Sequence, residues 1–160
     1  MVINNIPQGY QDLFLVCYLR SSNSAATDDL AYYFGSSTPT VSNTYLLGDG
    51  STASSGRRSG SGSYGAGYVY SAYRLPAASA TSGIFGAVET HILNYAGTST
   101  YKTILTRSEG DQNGAGGVCL NAGTYQTNTA ISSITLAWNS GLNFVSRSTV
   151  ELFGVRTVGQ

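Results

Sequence analysis

The chain has 160 residues, and its eight basic and eight acidic side chains cancel, leaving only 10% of residues charged. That length suits one domain with a core of its own, and a charged fraction far below the roughly 25% of ordinary soluble domains excludes the basic footprint of a nucleic-acid binder or a membrane-surface protein. Ser, Thr and Gly make up more than a third of the residues, so the surface is expected to hydrate through hydroxyls, and identical copies have little charge to keep them apart.

In chain order, the N-terminus MVINNIPQ has neither the basic start nor the apolar centre of a secretory signal, so synthesis in a cytoplasm is expected. No apolar run reaches the roughly 18 residues of a membrane-spanning helix. Leu13 to Leu19 is apolar at every position, which predicts a central strand covered on both faces. Leu30–Phe34 and Thr44–Leu47 follow as strands. Gly48 to Ser63, GDGSTASSGRRSGSGS, holds no apolar residue larger than alanine and predicts a long exposed loop. Tyr64 to Leu75 alternates aromatic and small residues as a strand does. Ile84 to Tyr95 reads as a longer strand broken near Glu89–Thr90, and Tyr101–Arg107 as another. A second exposed loop is expected near 108–117, where EGDQNGAGG lies. Val118–Leu120 resumes a strand.

The last third, GTYQTNTAISSITLAW (123–138) and NFVSRSTVELFGV (143–155), reads as a strand, a glycine-containing turn and a second strand. Ile134, Leu136 and Trp138 share one face, and Val150 and Leu152 share another. With Leu15 and Cys17 they form the expected core. Helical periodicity is missing throughout. The sum is an all-β chain of eight or nine strands, a single antiparallel β-sandwich over 1–160 with essentially no helix.

Little chemistry stands out. His91 is the lone histidine, and no G-x-S-x-G elbow accompanies it, so no nucleophilic triad is expected; one imidazole is too few for a histidine metal site. The carboxylates Asp12, Asp28, Asp29, Asp49, Glu89, Glu109, Asp111 and Glu151 mostly adjoin turns, where solvated acids are ordinary. Glu109 to Gly114 alternates oxygen ligands as calcium loops do, but lacks the closing bidentate glutamate. Cys17 and Cys119 match no metal spacing and sit in apolar runs, so two free buried thiols are expected, with a disulfide left open. No catalytic residue, cofactor or metal is assigned. Arg57 and Arg58, with Tyr64 and Tyr68 following, read first as a solvated loop on a neutral protein, and otherwise as a contact for a phosphate, a carboxylate or a neighbouring subunit. Twelve tyrosines are the main compositional oddity, and Tyr10, Tyr64 and Tyr125, in or beside loops, are the expected interface positions among them.

Three segments resemble a module that recurs in tailed-bacteriophage virion proteins. NIPQGYQDLFLVCYLR (5–20) is similar to its IPxxYxxLxLxxxxR opening, ILNYAGTSTYKTIL (92–105) to its IxxYxntxxxKt middle, and 130–155 to its aIxsIxL…xFxxgSxxxLyGi ending. Leu30 to Leu47 departs from it, lacking an NgDtgxnY segment. The resemblance implies a jelly-roll-like sandwich that serves in tail-fibre tips, head fibres or capsid decoration, commonly as a homotrimer. Because the module starts near Met1 with no shaft before it, the expectation is a non-enzymatic capsid decoration (cement) protein on the head exterior. Its partners would be its own copies and the major capsid protein, with no nucleic acid and no membrane. The alternative is a tail-fibre or head-fibre module recognising a host surface glycan.

Overall fold

A computed structural model describes residues 1–35, 40–61, 70–113 and 115–156, with the side chains of 61, 70 and 71 left aside. Among these residues there is no helix, and eleven strands form two wholly antiparallel sheets. They are β1 (Val2–Ile3), β2 (Asp12–Leu19), β3 (Thr27–Phe34), β4 (Thr40–Gly48), β5 (Ala53–Ser61), β6 (Tyr70–Pro76), β7 (Gly86–Leu93), β8 (Lys102–Asp111), β9 (Gly116–Tyr125), β10 (Ile134–Trp138) and β11 (Thr149–Val155). One sheet has the order β1-β10-β3-β6; the other has seven strands, β11-β2-β7-β8-β9-β4-β5. The two enclose one core, as in a β-sandwich.

The inward set of β2 is Leu13, Leu15, Cys17 and Leu19, alternating with Phe14, Val16 and Tyr18 outside. Across the gap, Leu30, Tyr32 and Phe34 of β3 and Ile134, Leu136 and Trp138 of β10 complete the core. The expected core residues Leu15, Cys17, Ile134, Leu136 and Trp138 are indeed buried, while Val150 and Leu152 are only half-buried, because β11 is an edge strand.

Four expectations need correction. First, most of the presumed 48–63 loop is β5, paired residue for residue with β4 from Gly48↔Ala53 to Thr40↔Ser61; Gly62 and Ser63 lie outside the described residues. Main-chain ladder bonds do not ask for apolar side chains, and Asp49 closes the turn by accepting bonds from Ser51 N at 3.1 Å and Thr52 N at 2.8 Å. Second, 108–117 is the tip of the β8–β9 hairpin, closed by Gln112 N donating to Ala115 O at 2.8 Å. Asn113 (φ 58°) and Gly116 (φ 109°) supply the left-handed residues it needs, and a Cβ at Gly116 would fall 1.8 Å from Gly110 O. Third, β7 runs unbroken through Glu89–Thr90. Fourth, β10 and β11 do not pair with each other. They belong to different sheets, β10 between β1 and β3 and β11 beside β2, and the 139–148 connection crosses from one to the other with Phe144 against Trp138, ring centroids 5.1 Å apart.

Candidate functional site

The conspicuous surface of this molecule is the outer face of the seven-stranded sheet. Cross-strand registers set it out in rows. One row runs Glu151, Val16, Glu89, Arg107, Leu120, Leu46, and the next Phe153, Phe14, His91, Leu105, Ala122, Thr44. A third begins Tyr18, Ala87, Glu109 and continues to Val118. Tyr18, Leu46, Leu105, Val118, Leu120, Phe153 and Val155 are 44–61% exposed, and among the described residues no layer covers them. Depressions of about 600 and 660 Å³ adjoin on this face, around Leu46, Leu120 and the Glu89–Arg107 pair. That ion pair, 2.5 Å between Arg107 Nη2 and Glu89 Oε2, is the charged feature at its centre. Contiguous apolar surface on this scale marks an interaction site rather than scattered exposed leucines.

Its composition follows from an inverted alternation. Along β8 and β9 the inward positions include Thr106, Ser108, Cys119 and Asn121, while Leu105, Val118 and Leu120 point out. The polar inward set is largely satisfied. Tyr32 Oη and Thr90 Oγ1 are 3.0 Å apart, as are Thr90 Oγ1 and Thr106 Oγ1. Sequence reading missed this face. The pleat fixes which residues travel together, and the apolar set is taken by default to face inward. The available signal was Leu13–Leu19, apolar on both faces.

The expected contact residues do not converge. Arg57 lies on the outer face of β5, and the neighbouring Arg58 on the inner, its guanidinium 5.5 Å from the Tyr73 ring centroid and 6.0 Å from that of Tyr45. Strand geometry therefore divides what reads in sequence as one basic pair. Tyr10 is half-buried and lies over Gly154, where a Cβ would come 2.3 Å from its Cγ; Arg156 stands 5.5 Å from its ring centroid. Tyr125 is not an interface residue. It is buried edge-on against Phe34 at 5.0 Å, and its hydroxyl donates to Phe34 O at 2.6 Å. Tyr64 and Tyr68 lie outside the described residues. A polar groove by the β4–β5 edge is lined by Ser42, Thr44, Arg57, Ser59 and Thr124.

The titratable groups are bound up in structure. His91 is exposed, edge-on to Phe14 at 4.6 Å, and its neighbours across the strands are Phe14 and Leu105, neither nucleophile nor acid. Asp28 accepts from Ser21 Oγ at 2.7 Å and Ser140 Oγ at 2.5 Å. Asp12 accepts from Asn94 N at 2.7 Å, and Glu109 from Ala87 N at 3.1 Å. Asp29 holds Arg74, whose φ of 55° marks a bulge in the β3–β6 pairing, through a 3.0 Å bond from Arg74 N. Burial raises the Asp29 carboxyl above its usual range, partly offset by that bond. Among the described residues no three His, Cys, Asp or Glu side chains gather as metal ligands.

Both thiols are free and buried. Burial pushes Cys17 up to about 12 and Cys119 to about 11 from an ordinary value of 9.0, Tyr73 up to about 12, and Tyr32 well above its usual range. With folded values raised, their contribution is complete below the unfolded values and is lost as pH climbs through the folded ones. We therefore expect stability to fall between about pH 9 and 12, and Ellman's reagent at pH 8 to find no thiol until the chain is unfolded, then two. A native thiol titrating within minutes would contradict the burial. Compared with protein families, with curated proteins and with solved structures, the chain matches none.

Proposed function

We propose that this chain is a non-enzymatic structural component of a tailed-phage virion, most specifically a capsid decoration protein that sits on the head exterior and bridges major capsid proteins. The observation that carries the reading is the uncovered apolar face of the seven-stranded sheet, which fits a protein partner, on a molecule whose acids Asp12, Asp28, Asp29 and Glu109 are held in the fold by hydrogen bonds. The segment resemblance supplies the virion setting. A jelly-roll-like ancestry is supported by nested pairing: β2 with β11, β3 with β10 and β4 with β9, alternating between sheets as a rolled-up ribbon would.

Cryo-electron microscopy of intact particles tests it. We expect density for this sandwich on the head lattice in hundreds of copies; density confined to the tail, at about a dozen copies, would sink the decoration role. The polar groove beside Arg57 favours the second reading, a receptor-binding module for a host glycan. Glycan-array binding abolished by Arg57→Ala, together with tail density, would put that reading in its place.

A further inference from the structure

We propose that the hydroxyl-lined groove beside Arg57 binds an acidic saccharide, a sugar chain whose carboxylate or phosphate is held by the Arg57 guanidinium. This rests on the receptor-binding reading above and names the class of glycan that the groove takes. Toward the Thr40 end of β4 the outer face of the large sheet turns from apolar to polar. One cross-strand row there reads Ser59, Ser42, Thr124, Thr103, on β5, β4, β9 and β8 in turn. Four strands at about 4.8 Å spacing carry that line of hydroxyls over roughly 14 Å. In the adjoining row Arg57 lies opposite Thr44, and the two rows border a depression of about 380 Å³.

Hydrogen-bonding capacity in this groove is unspent. Among the described residues the hydroxyls of Ser42, Thr44, Ser59 and Thr124 and the guanidinium of Arg57 have no hydrogen-bond or ion-pair partner. Most other arginines are engaged: Arg20 with carbonyls, Arg58 with Tyr73, Arg74 with Asp49, Arg107 with Glu89 and Arg156 with Tyr10. No carboxylate lines the groove, so the charge of Arg57 is unopposed and its planar fork is available to a carboxylate or phosphate. An acidic peptide would satisfy that charge, but its side chains would find no apolar pocket, since Ala122 is the one apolar residue of the lining. A hydroxyl both donates and accepts, so a row of them matches a ligand whose own groups do the same, as those of a sugar do. The far end of the row adds a stacking surface. Tyr101, 57% exposed, stands two residues before Thr103 on the same side of the chain, and its ring offers an apolar plane to the less polar face of a pyranose.

Isothermal calorimetry of the purified full chain at low salt tests it with three probes of matched length: oligogalacturonate, a glycerol phosphate oligomer and an uncharged galacto-oligosaccharide. An acidic probe is expected to bind at least about 10-fold more tightly than the neutral one, and the stronger of the two acidic probes tells carboxylate from phosphate. Arg57→Ala is expected to reduce that affinity about 10- to 100-fold, as loss of a charge-assisted contact does, and Arg57→Lys to restore part of it. Arg147→Ala, which removes an exposed arginine on another segment, leaves binding unchanged. Circular dichroism confirms that each variant keeps the fold. Acidic and neutral probes binding alike, or binding indifferent to Arg57→Ala, overturns the inference and leaves the glycan reading standing. Acetate or inorganic phosphate binding as tightly as the sugars means an ion site only and also overturns it. Failure of all three probes passes the decision to the glycan array. Hits confined to acidic glycans and lost in Arg57→Ala uphold the inference, hits on neutral glycans overturn it, and silence removes the glycan reading itself.

Discussion

Arg20→Met is expected to lower folding stability by about 3–5 kcal/mol, the range seen when a buried charge network is broken, and to cut the melting temperature by roughly 6–20 °C for a domain of this size. Arg20 follows β2 directly and is 7% exposed. Its guanidinium donates to Thr81 O at 2.8 Å, Ile84 O and Ala80 O at 2.9 Å, and Ala78 O at 3.3 Å. Those carbonyls act as the charge's solvent, and it in turn orders the whole β6–β7 connection, a segment without strand or helix of its own. Methionine keeps the volume and drops every donor, leaving main-chain acceptors to find water or go without. Lysine, a point charge on a flexible stem, cannot span four carbonyls with a planar fork, so Arg20→Lys should recover less than half the loss. Calorimetry of both variants decides it; a loss under 1 kcal/mol from Arg20→Met would mean that the connection holds without its arginine.

Trp138→Ala should cost about 3–5 kcal/mol, the usual penalty for emptying an aromatic site in a core. Trp138 is 1% exposed, tilted against Phe144 and part of the core between the sheets. Its Nε1–H meets no acceptor among the described residues, so Trp138→Phe removes an unsatisfied donor along with some surface and should cost only about 1–2 kcal/mol. Leu120→Ala on the outer face should change the stability of an isolated subunit by less than about 0.5 kcal/mol. Urea unfolding of the three variants would separate core from face. Equal losses from Trp138→Ala and Leu120→Ala would mean that the assignment of inside and outside is mistaken.

Much of this architecture is legible in the sequence, and the parts that are not share a cause. Short apolar, β-branched and aromatic runs locate β2, β3, β7 and β8, and the buried residues of β10 read directly from period-two alternation because its opposite face is Thr and Ala. β5 was invisible because an edge strand can be held by its ladder alone, and nothing in ASSGRRSGS advertises that ladder. Tyr125 read as an interface residue because tyrosine suits surfaces; its hydroxyl instead found Phe34 O inside. The apolar face escaped notice for a deeper reason. Val118 and Leu120 look like core, and only the position of the smaller sheet shows that Cys119 and Asn121 are the ones beneath cover. Arg20 ends the NIPQGYQDLFLVCYLR segment, but four carbonyl partners more than fifty residues away leave no local trace.

The nested pairing has a consequence for how the chain comes into being. The β7–β8–β9 meander is built from neighbours in sequence and can close as soon as it emerges from the ribosome. β2, by contrast, waits for β11: Asp12 lies opposite Val155, and Tyr18 opposite Thr149. No copy can seal its first long strand until β11, about 140 residues downstream, has been made, and pairings that span so much chain are inherently slow to form. Until then Phe14, Val16 and Tyr18 sit on a strand lacking one neighbour, beside other nascent copies carrying the same exposed stripe. The order of synthesis thus leaves one edge of β2 open until the seven residues of β11 arrive to pair with it.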